Sequence, residues 1–427
     1  RDVSSFGAPG PAELPEFSPA EGCNKMSTNE LGGSVYALPT QRPHGCPFAV
    51  PADLRELQRT EPISRMTFPD GHQGWLVANH ELARRVLTDP AFSSRPELQH
   101  VPLAPPGAAP ALPPALPGQL SSLDPPEHSR YRRILSALCT RQRMEALRPA
   151  VRRLVTERVD GMLAERAGTA DLAAALAHPI AFGTIATLLG IPADERRFTS
   201  PSEIEDLGPE DAIGIYLDTI RYLEDLVRRR RVERSDDLLG RLAQSGELGD
   251  AELANIGMML IIGGTETSAN MMLSAVMVLL ENPATLLAYR EARRAGGAAI
   301  DELVRYLSVS QVVMPPRTAT TDVELAGVAI RAGETVAVSL LAANRDPAAF
   351  HDPDVLDFRR GDVAGHLGFG YGIHRCLGSH LARIELDEFL DVLFDRLPGL
   401  ALVEAPADIE MREEEFIYGP RSLVVRW

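Results

Sequence analysis

Residues 369–378 constrain the fold of this chain more than any other segment. They read Phe-Gly-Tyr-Gly-Ile-His-Arg-Cys-Leu-Gly, and the pattern that follows predicts a helix over 377–390. Gly370 and Gly372 permit tight turns and close approach of the backbone to a flat partner. Cys376 would stand at a helix start, where backbone N–H groups and the helix dipole stabilise a thiolate. A lone cysteine is more often a small buried apolar residue, but this context favours a metal ligand.

A second unusual segment lies inside a long apolar stretch that predicts a helix. Residues 263–267 read Gly-Gly-Thr-Glu-Thr, and mostly apolar residues stand on both sides. Two adjacent glycines weaken a helix by about 1 kcal/mol each relative to Ala. On this pattern alone, Glu266 and Thr267 are as well explained by a helix end or a hydrogen-bonded core pair as by a catalytic site.

Together the two segments resemble the cytochrome P450 superfamily. Its cysteine loop carries Phe, two Gly, a basic residue, Cys and Gly at these spacings, and its oxygen-side helix carries a small residue, Gly, any residue, an acid and Thr. The resemblance implies that Cys376 is the axial ligand of the iron of haem b, with Phe369 and Gly370 beside the haem. Thiolate ligation favours O–O cleavage. The resemblance also implies that Thr267 hydrogen-bonds the oxygen being activated and that Glu266 relays protons to it.

Four basic residues match the family's contacts to the haem propionates. Residues 124–127, Asp-Pro-Pro-Glu, predict a helix start with Asp124 as N-cap. His128 and Arg132 would then share one helix face, and a solvated basic face is the usual fate of such a pair. The resemblance implies instead that the propionates are bound by four residues: His128, Arg132, Arg317 and His374.

Glu302 and Arg305 lie three residues apart on a predicted helix. Taken alone, they are an ordinary surface pair. They also match the family's Glu-x-x-Arg motif, with Arg360 as the third member. The resemblance assigns these residues to the fold and to haem retention, and not to the chemistry.

Helical periodicity dominates from about residue 124 onward, most clearly over 141–165, 210–230, 249–281 and 377–396. Strand signals are few. Residues 63–68 and 74–78 flank a Pro-Asp-Gly turn and predict a hairpin, whereas 323–330 and 335–338 form a second strand group. The resemblance implies a mainly α fold with a small β-rich lobe. The haem would lie between a long distal helix and the cysteine loop with its helix.

The chain divides into a short extension and one large domain. Residues 1–40 are rich in Pro, Gly, Ser and Glu and are predicted to be disordered. Residues 41–427 form the expected monooxygenase domain. Residues 102–118 are rich in Pro and uncharged, which is typical of a linker or of a pliable apolar loop over a pocket. The family motifs on both sides favour the loop.

The formal net charge of −16 argues against nucleic acid and anionic membrane surfaces as partners. Four cysteines without a CxxC pair predict reduced thiols and a cytoplasmic location. No apolar run reaches about 20 residues, so no membrane span is predicted. We expect a cytoplasmic monomer.

The motifs are closest in style to soluble actinobacterial enzymes that tailor polyketides and other secondary metabolites. The resemblance implies a monooxygenase that inserts one atom of O2 by hydroxylation or epoxidation. Electrons would come from NAD(P)H through a reductase and an acidic ferredoxin docked on Arg130, Arg133 and Arg375. Four mostly apolar segments predict a bulky apolar substrate such as a macrolide-type polyketide: 93–120, 258–263, 312–314 and 416–417.

Three alternatives remain at this stage. A peroxygenase driven by hydrogen peroxide does without the acid–alcohol pair that Glu266 and Thr267 would form. An auxiliary, non-catalytic partner of a tailoring enzyme lacks the ligand cysteine, and a haem-binding sensor is a related possibility. In the third alternative, Cys376 is structural and no haem binds. The absorption spectrum of the ferrous–CO form separates these alternatives.

Overall fold

The computed structural model describes residues 37–104, 112–195 and 209–427. Most of residues 1–40, the predicted disordered extension, lie outside this part of the chain, and so does the centre of the Pro-rich segment. Helices dominate the described residues. In chain order the α-helices are α1 (Ala52–Thr60), α2 (His80–Thr88), α3 (Glu127–Leu138), α4 (Arg141–Ala164), α5 (His178–Leu189), α6 (Pro209–Val232), α7 (Leu238–Ser245), α8 (Asp250–Glu281), α9 (Pro283–Arg294), α10 (Ala299–Leu307), α11 (Leu340–Asn344) and α12 (Ser379–Arg396).

The long helix α8 forms the centre of the main core. Its sequence is apolar nearly all round, which is typical of a helix buried on every side, and it packs against α5, α6, α9 and α12. The helix begins where the backbone N–H of Gly249 donates to the Glu252 carboxylate at 2.7 Å. A Cβ built on Gly264 would lie 2.5 Å from Cδ1 of Ile185, so the glycine allows α5 to approach closely.

Helix α12, which follows the cysteine loop, lies against α4. An ionic network joins them, because Arg148 and Arg152 of α4 both reach the buried carboxylate of Glu388 in α12, at 2.8 and 2.7 Å. Arg148 also pairs with Asp387. The network fixes the helix that carries the end of the cysteine loop.

The strands form a small lobe beside the helices. They are β1 (Ile63–Thr67), β2 (Gln73–Val77), β3 (Phe92–Ser93), β4 (Thr169–Asp171), β5 (Arg317–Ala319), β6 (Val323–Leu325), β7 (Val328–Ile330), β8 (Thr335–Val338), β9 (Ala401–Leu402) and β10 (Val424–Arg426). One sheet has the order β1-β2-β8-β5-β3, a second has the order β4-β10-β9, and β6 pairs with β7. The mainly α fold with a small β lobe is confirmed.

The first predicted hairpin is present as β1 and β2, with Ile63 opposite Val77. The strands of the second predicted group are also present, but they do not form one sheet. Residues 323–330 form the β6–β7 hairpin, whereas β8 runs parallel to β2 and antiparallel to β5 in the larger sheet. All four residues of β8 are buried, because the sheet places both of its faces against the core.

Two further expectations are corrected by the structure. Asp124 is not an N-cap: α3 begins at Glu127 without a side-chain cap, and the Asp124 carboxylate accepts hydrogen bonds from Ser93 Oγ and Ser94 N at 2.5 and 2.8 Å. The expectation of reduced thiols is wrong for Cys46, which is disulfide-bonded.

Among the described residues, no single helix combines the length and apolarity needed to cross a membrane. Helices α8 and α9 meet that test only as a pair, and the chain bends by 117° between them.

Candidate active site

The cysteine loop is held by backbone geometry. Gly370 and Gly372 adopt φ values of 68° and 71°, which other residues rarely adopt. The N–H of Cys376 donates to the Phe369 carbonyl at 2.8 Å and closes the loop. A Cβ on Gly372 would lie 2.3 Å from the Leu87 carbonyl oxygen, so the loop is also seated against α2. Cys376 remains exposed, whereas Ser379 and much of α12 are buried.

The thiol of Cys376 stands just before α12 and not at its first residue. Desolvation by the surrounding protein raises its pKa, and the Gly378 N–H and the positive charges of Arg132 and Arg383 oppose this effect only in part. The backbone N–H of Gly378 favours the thiolate, as expected for a helix start, but this effect is smaller than the desolvation. A thiolate at this position needs a cationic partner on the open side, such as a metal ion.

The centre of α8 is also open, although the helix lies in the core. Ile262 is 60% exposed, and a Cβ built on Gly263 would meet no atom within 4 Å. Thr267, one turn further, is partly exposed and donates its hydroxyl proton to the Gly263 carbonyl at 2.7 Å. Its oxygen lone pairs can therefore accept a hydrogen bond from a ligand next to α8.

Glu266, the other predicted catalytic residue, faces a different set of groups. Its Oε1 accepts a hydrogen bond from Nδ2 of Asn270 at 2.5 Å, and its Oε2 lies 3.9 Å from Nδ1 of His178. The side chain is 23% exposed, so it lies at the boundary between the core and accessible space. Nothing in the sequence pattern singled out Asn270 or His178.

The four predicted propionate ligands lie in one neighbourhood. The rings of His128 and His374 are 4.3 Å apart, and Arg132 donates to the Arg375 carbonyl at 2.7 Å. Burial, together with the charges of Arg317, His128 and Arg132, lowers the pKa of His374 to about 3. Ser94, which sequence reasoning missed, lies 3.1 Å from Nε2 of His374 through its hydroxyl.

No carboxylate within the described parts of the chain forms an ion pair with this basic cluster. Arg317 is 2% exposed and donates to the Pro315 carbonyl at 2.5 Å. Burial lowers its pKa to about 10, and Asp124 is the acidic group that opposes this shift. The Asp124 carboxylate is already occupied by Ser93 and Ser94. A buried guanidinium without a paired anion is costly, so the cluster suits a ligand that carries carboxylates.

The predicted ion network is present behind the site. Nε of Arg305 lies 2.7 Å from Glu302, and Nε of Arg360 lies 3.3 Å from the same carboxylate. Glu302 and Arg305 are almost wholly buried, and Arg305 also donates to three backbone carbonyls. These contacts tie α10 to the segment that leads into the cysteine loop.

The predicted docking patch is changed by the structure. Arg130 pairs with Glu252 at 2.8 Å and Arg133 pairs with Glu247 at 3.1 Å, so both charges are offset. Arg375 is exposed. Burial lowers the pKa of His380 in the first turn of α12, and the positive charges of Arg383, Arg141 and Arg375 lower it further. The basic surface beside the cysteine loop therefore includes the start of α4.

Comparison with known proteins agrees with these features. The family profile described as Cytochrome P450 matches residues 297–405. Cytochrome P450-SU2 of Streptomyces griseolus is 37% identical over 94% of this chain and 100% of its own. Mycinamicin IV hydroxylase/epoxidase of Micromonospora griseorubida is 37% identical over 92% of this chain and 98% of its own.

The structural similarity extends over the same length. The structure of CYP105P2 from Streptomyces peucetius, in complex with a biphenyl compound, matches with a TM-score of 0.84 and 34% identity. The match covers 93% of this chain and 100% of that one. With relatives of this identity along almost its whole length, an accessible cysteine in a glycine-held loop and an open acid–alcohol helix, this chain belongs to the cytochrome P450 family of monooxygenases.

Proposed function

We propose that this chain inserts one oxygen atom from O2 into a bulky, apolar secondary metabolite of the macrolide-type polyketide class, by hydroxylation or epoxidation. The observation that carries the proposal is the accessible thiol of Cys376 beside a buried basic cluster without a carboxylate partner. A haem fits both features, because it offers iron to the thiolate and two propionates to the bases. The proposed monooxygenase domain comprises residues 41–427.

The haem would lie between the open centre of α8 and the cysteine loop. Cys376 would supply the thiolate that binds its iron, and Phe369 and Gly370 would contact the ring. The propionates would be bound by the four members of the basic cluster: His128, Arg132, Arg317 and His374. Once bound, the haem supplies oxygen binding, O–O cleavage and the oxidising equivalent.

Two side chains of α8 would deliver protons to the reacting oxygen. Thr267 gives its own proton to Gly263 and so offers lone pairs, which suits it to accept a hydrogen bond beside the reacting oxygen. Glu266 lies next to it in the chain and at the border of accessible space, where a carboxyl group can carry a proton inward. A peroxygenase has no use for this pair, so its presence favours the O2-dependent reaction.

Electrons would come from NAD(P)H through a ferredoxin reductase and an acidic ferredoxin. The ferredoxin would dock on the basic surface formed by Arg141, Arg143 and Arg375, because opposite charge steers the encounter. This surface lies beside the cysteine loop, on the side of the thiolate. An ionic-strength series of the reduction rate tests the assignment, since the rate should fall steeply with added salt.

The substrate class is argued from the walls of the open region. Apolar side chains that are exposed in the structure fall in the segments expected to contact substrate: Leu98, Leu116, Ile262 and Met314. Such walls suit a large apolar molecule. The relative named for mycinamicin IV shows that an enzyme of this similarity oxidises a macrolide.

Two spectroscopic measurements test the proposal. The reduced, haem-loaded protein treated with CO should show the Soret band at the position of a thiolate-ligated haem, and a band at another position would refute Cys376 as ligand. A panel containing mycinamicin IV, a steroid, a terpenoid and an aromatic peptide should shift the ferric haem from low to high spin most strongly with the macrolide. A strong shift with another class alone would refute the substrate class.

A further inference from the structure

Glu266 is flanked by two residues that have no role in the proposed mechanism. His178 lies 3.9 Å from Oε2, and Asn270 donates to Oε1 at 2.5 Å and to the Glu266 carbonyl at 3.0 Å. We infer that His178 is a positioning residue for oxygen activation, which holds one oxygen of Glu266 while Asn270 fixes the other. The inference rests on the proposed proton-relay role of Glu266.

The position of His178 is set by an irregular turn. Residues Ala173–Ala177 form a π-helical segment, and α5 begins directly after it, with His178 as its first residue and a proline next. A π-helical segment shifts the register of the side chains that follow, and such segments are common at functional sites. Here the shift directs an imidazole from α5 toward the middle of α8.

The residues that flank His178 along the chain are mostly apolar. Its side chain is 3% exposed, and its neighbours along the chain, Leu176, Ala177, Ile180 and Ala181, are fully buried. Placing a polar imidazole in such surroundings is costly unless it interacts with a polar or charged group. The Glu266 carboxylate is a group of that kind within reach, so the histidine and the acid stabilise each other.

The two contacts on Glu266 differ in strength. The Asn270 bond is short, and it anchors the carboxylate to its own helix one turn away. The 3.9 Å separation from His178 is longer than a hydrogen bond, so this interaction is electrostatic or passes through a water molecule. The contact of Oε2 with His178 is thus the longer of the two, which suits a carboxyl group that must carry a proton between two places.

Asn270 itself depends on a third residue. A Cβ built on Gly419 would lie 2.1 Å from Oδ1 of Asn270, a distance at which no side chain fits. Gly419 therefore leaves the space in which the amide turns its NH2 group toward Glu266. Both holding groups are in this way fixed by structure outside α8.

A double-variant cycle on the haem-loaded protein tests the interaction without turnover. His178→Gln, Glu266→Gln and the double variant are unfolded with urea. The stability lost in the double variant should be smaller than the sum of the losses in the two single variants. Each single substitution already removes the interaction between the two side chains, so the second substitution cannot remove it again. Additive losses would mean that the two side chains do not interact. His80→Gln combined with Glu266→Gln is the matched control and should be additive, since His80 is a buried histidine that bonds the distant Gly365 carbonyl.

Infrared spectra provide a signature that general loosening of the core would not produce. The carboxyl bands of Glu266 are identified from the difference between wild type and Glu266→Gln in the ferric protein. These bands should shift in His178→Leu and remain in place in His80→Gln. Unchanged bands in His178→Leu would overturn the assignment.

A single-turnover experiment tests the effect on the reaction. The reduced protein is mixed with oxygen and reduced ferredoxin in H2O and in D2O. Oxygen reduction should be about tenfold slower in His178→Gln than in wild type, which is a fraction of the rate enhancement that a general acid provides. The solvent isotope effect on this step should be larger in the variant. If Glu266→Gln slows the step and His178→Gln does not, the positioning role of His178 is refuted and the proton-relay role of Glu266 is retained. If Glu266→Gln has no effect, the proposed relay itself fails.

Discussion

The hydroxyl of Thr267 donates to the carbonyl of Gly263 at 2.7 Å, one turn earlier in the same helix. This bond leaves the lone pairs of the threonine pointing away from the helix backbone, at a place where α8 borders open space. A second threonine, Thr265, makes the same bond to Ile261 at 2.7 Å, but it is buried. The pair offers a matched experiment.

Thr267→Ala should keep its haem and consume NAD(P)H, but much of the oxygen should leave as hydrogen peroxide. The reason is that the variant loses the hydrogen-bond acceptor that orders protons beside the reacting oxygen. Peroxide and NAD(P)H consumption are measured together with product. Thr265→Ala should remain coupled, and a fully coupled Thr267→Ala enzyme would contradict the proton-delivery role.

Cys376→Ser should abolish both the thiolate spectrum and monooxygenation, because a serine hydroxyl does not replace a thiolate as an electron-donating ligand. The ferrous–CO spectrum and product formation are the measurements. Cys139→Ser is the control, since Cys139 is also a free thiol but is buried in the core. Retained turnover in Cys376→Ser would remove the ligand assignment.

Arg317→Leu should weaken haem binding while leaving the haem-free protein at least as stable as wild type. The variant loses charge-assisted hydrogen bonds to a propionate, which contribute about 1.5–3 kcal/mol each, but it also removes a buried charge without a paired anion. Haem transfer to apomyoglobin should accelerate by about tenfold or more. Arg143→Leu, at a half-buried position outside the basic cluster, should transfer haem at the wild-type rate. An unchanged rate in Arg317→Leu would place the propionates elsewhere.

Glu302→Gln should destabilise the fold by about 3–5 kcal/mol, since it leaves the buried charge of Arg305 without its carboxylate. The free energy of unfolding in urea measures the effect. Glu56 and Arg59 have the same spacing but lie on the surface, so Glu56→Gln should change stability little. If both variants lose the same free energy of unfolding, burial of the Glu302–Arg305 pair does not contribute to stability.

Glu385 should make stability depend on pH. It is buried in α12, and desolvation raises its pKa to about 8, partly opposed by the nearby hydroxyl groups of Ser268 and Thr184. Between the ordinary carboxyl pKa and about 8, the folded state keeps a proton that the unfolded state has lost, so stability falls as pH rises through this window. The slope is about 1.4 kcal/mol for each pH unit. Glu385→Gln should remove this slope in urea titrations from pH 5 to 9, and an unchanged slope would contradict the assignment.

The sequence predicts the features of this protein that depend on local pattern. The spacing of apolar residues in α4, α6, α8 and α12 indicates a helix that is buried on one face or on all sides. Each of these helices lies close to its predicted range. The cysteine loop is also predictable from the sequence, because the positive φ values at Gly370 and Gly372 require glycine at these positions.

Features that depend on distant contacts are hidden from the sequence. Asp124 resembles an N-cap, but the donors that bind its carboxylate come from the end of strand β3 and the residue after it, far earlier in the chain. The parallel pairing of β8 with β2 joins two segments that are far apart in the sequence. His178 lies in an apolar run in which only the fold shows that its ring meets Glu266.

Residues 418–426 affect the surroundings of Glu266, although they are far from α8 along the chain. Gly419 makes room for Asn270, and β10 pairs with β4 immediately before the π-helical turn that orients His178. An engineer who exchanged this segment between relatives would thus alter how the enzyme uses oxygen before altering what it oxidises. Libraries aimed at new substrates should leave these nine positions fixed, and libraries aimed at less wasted reductant should begin with them.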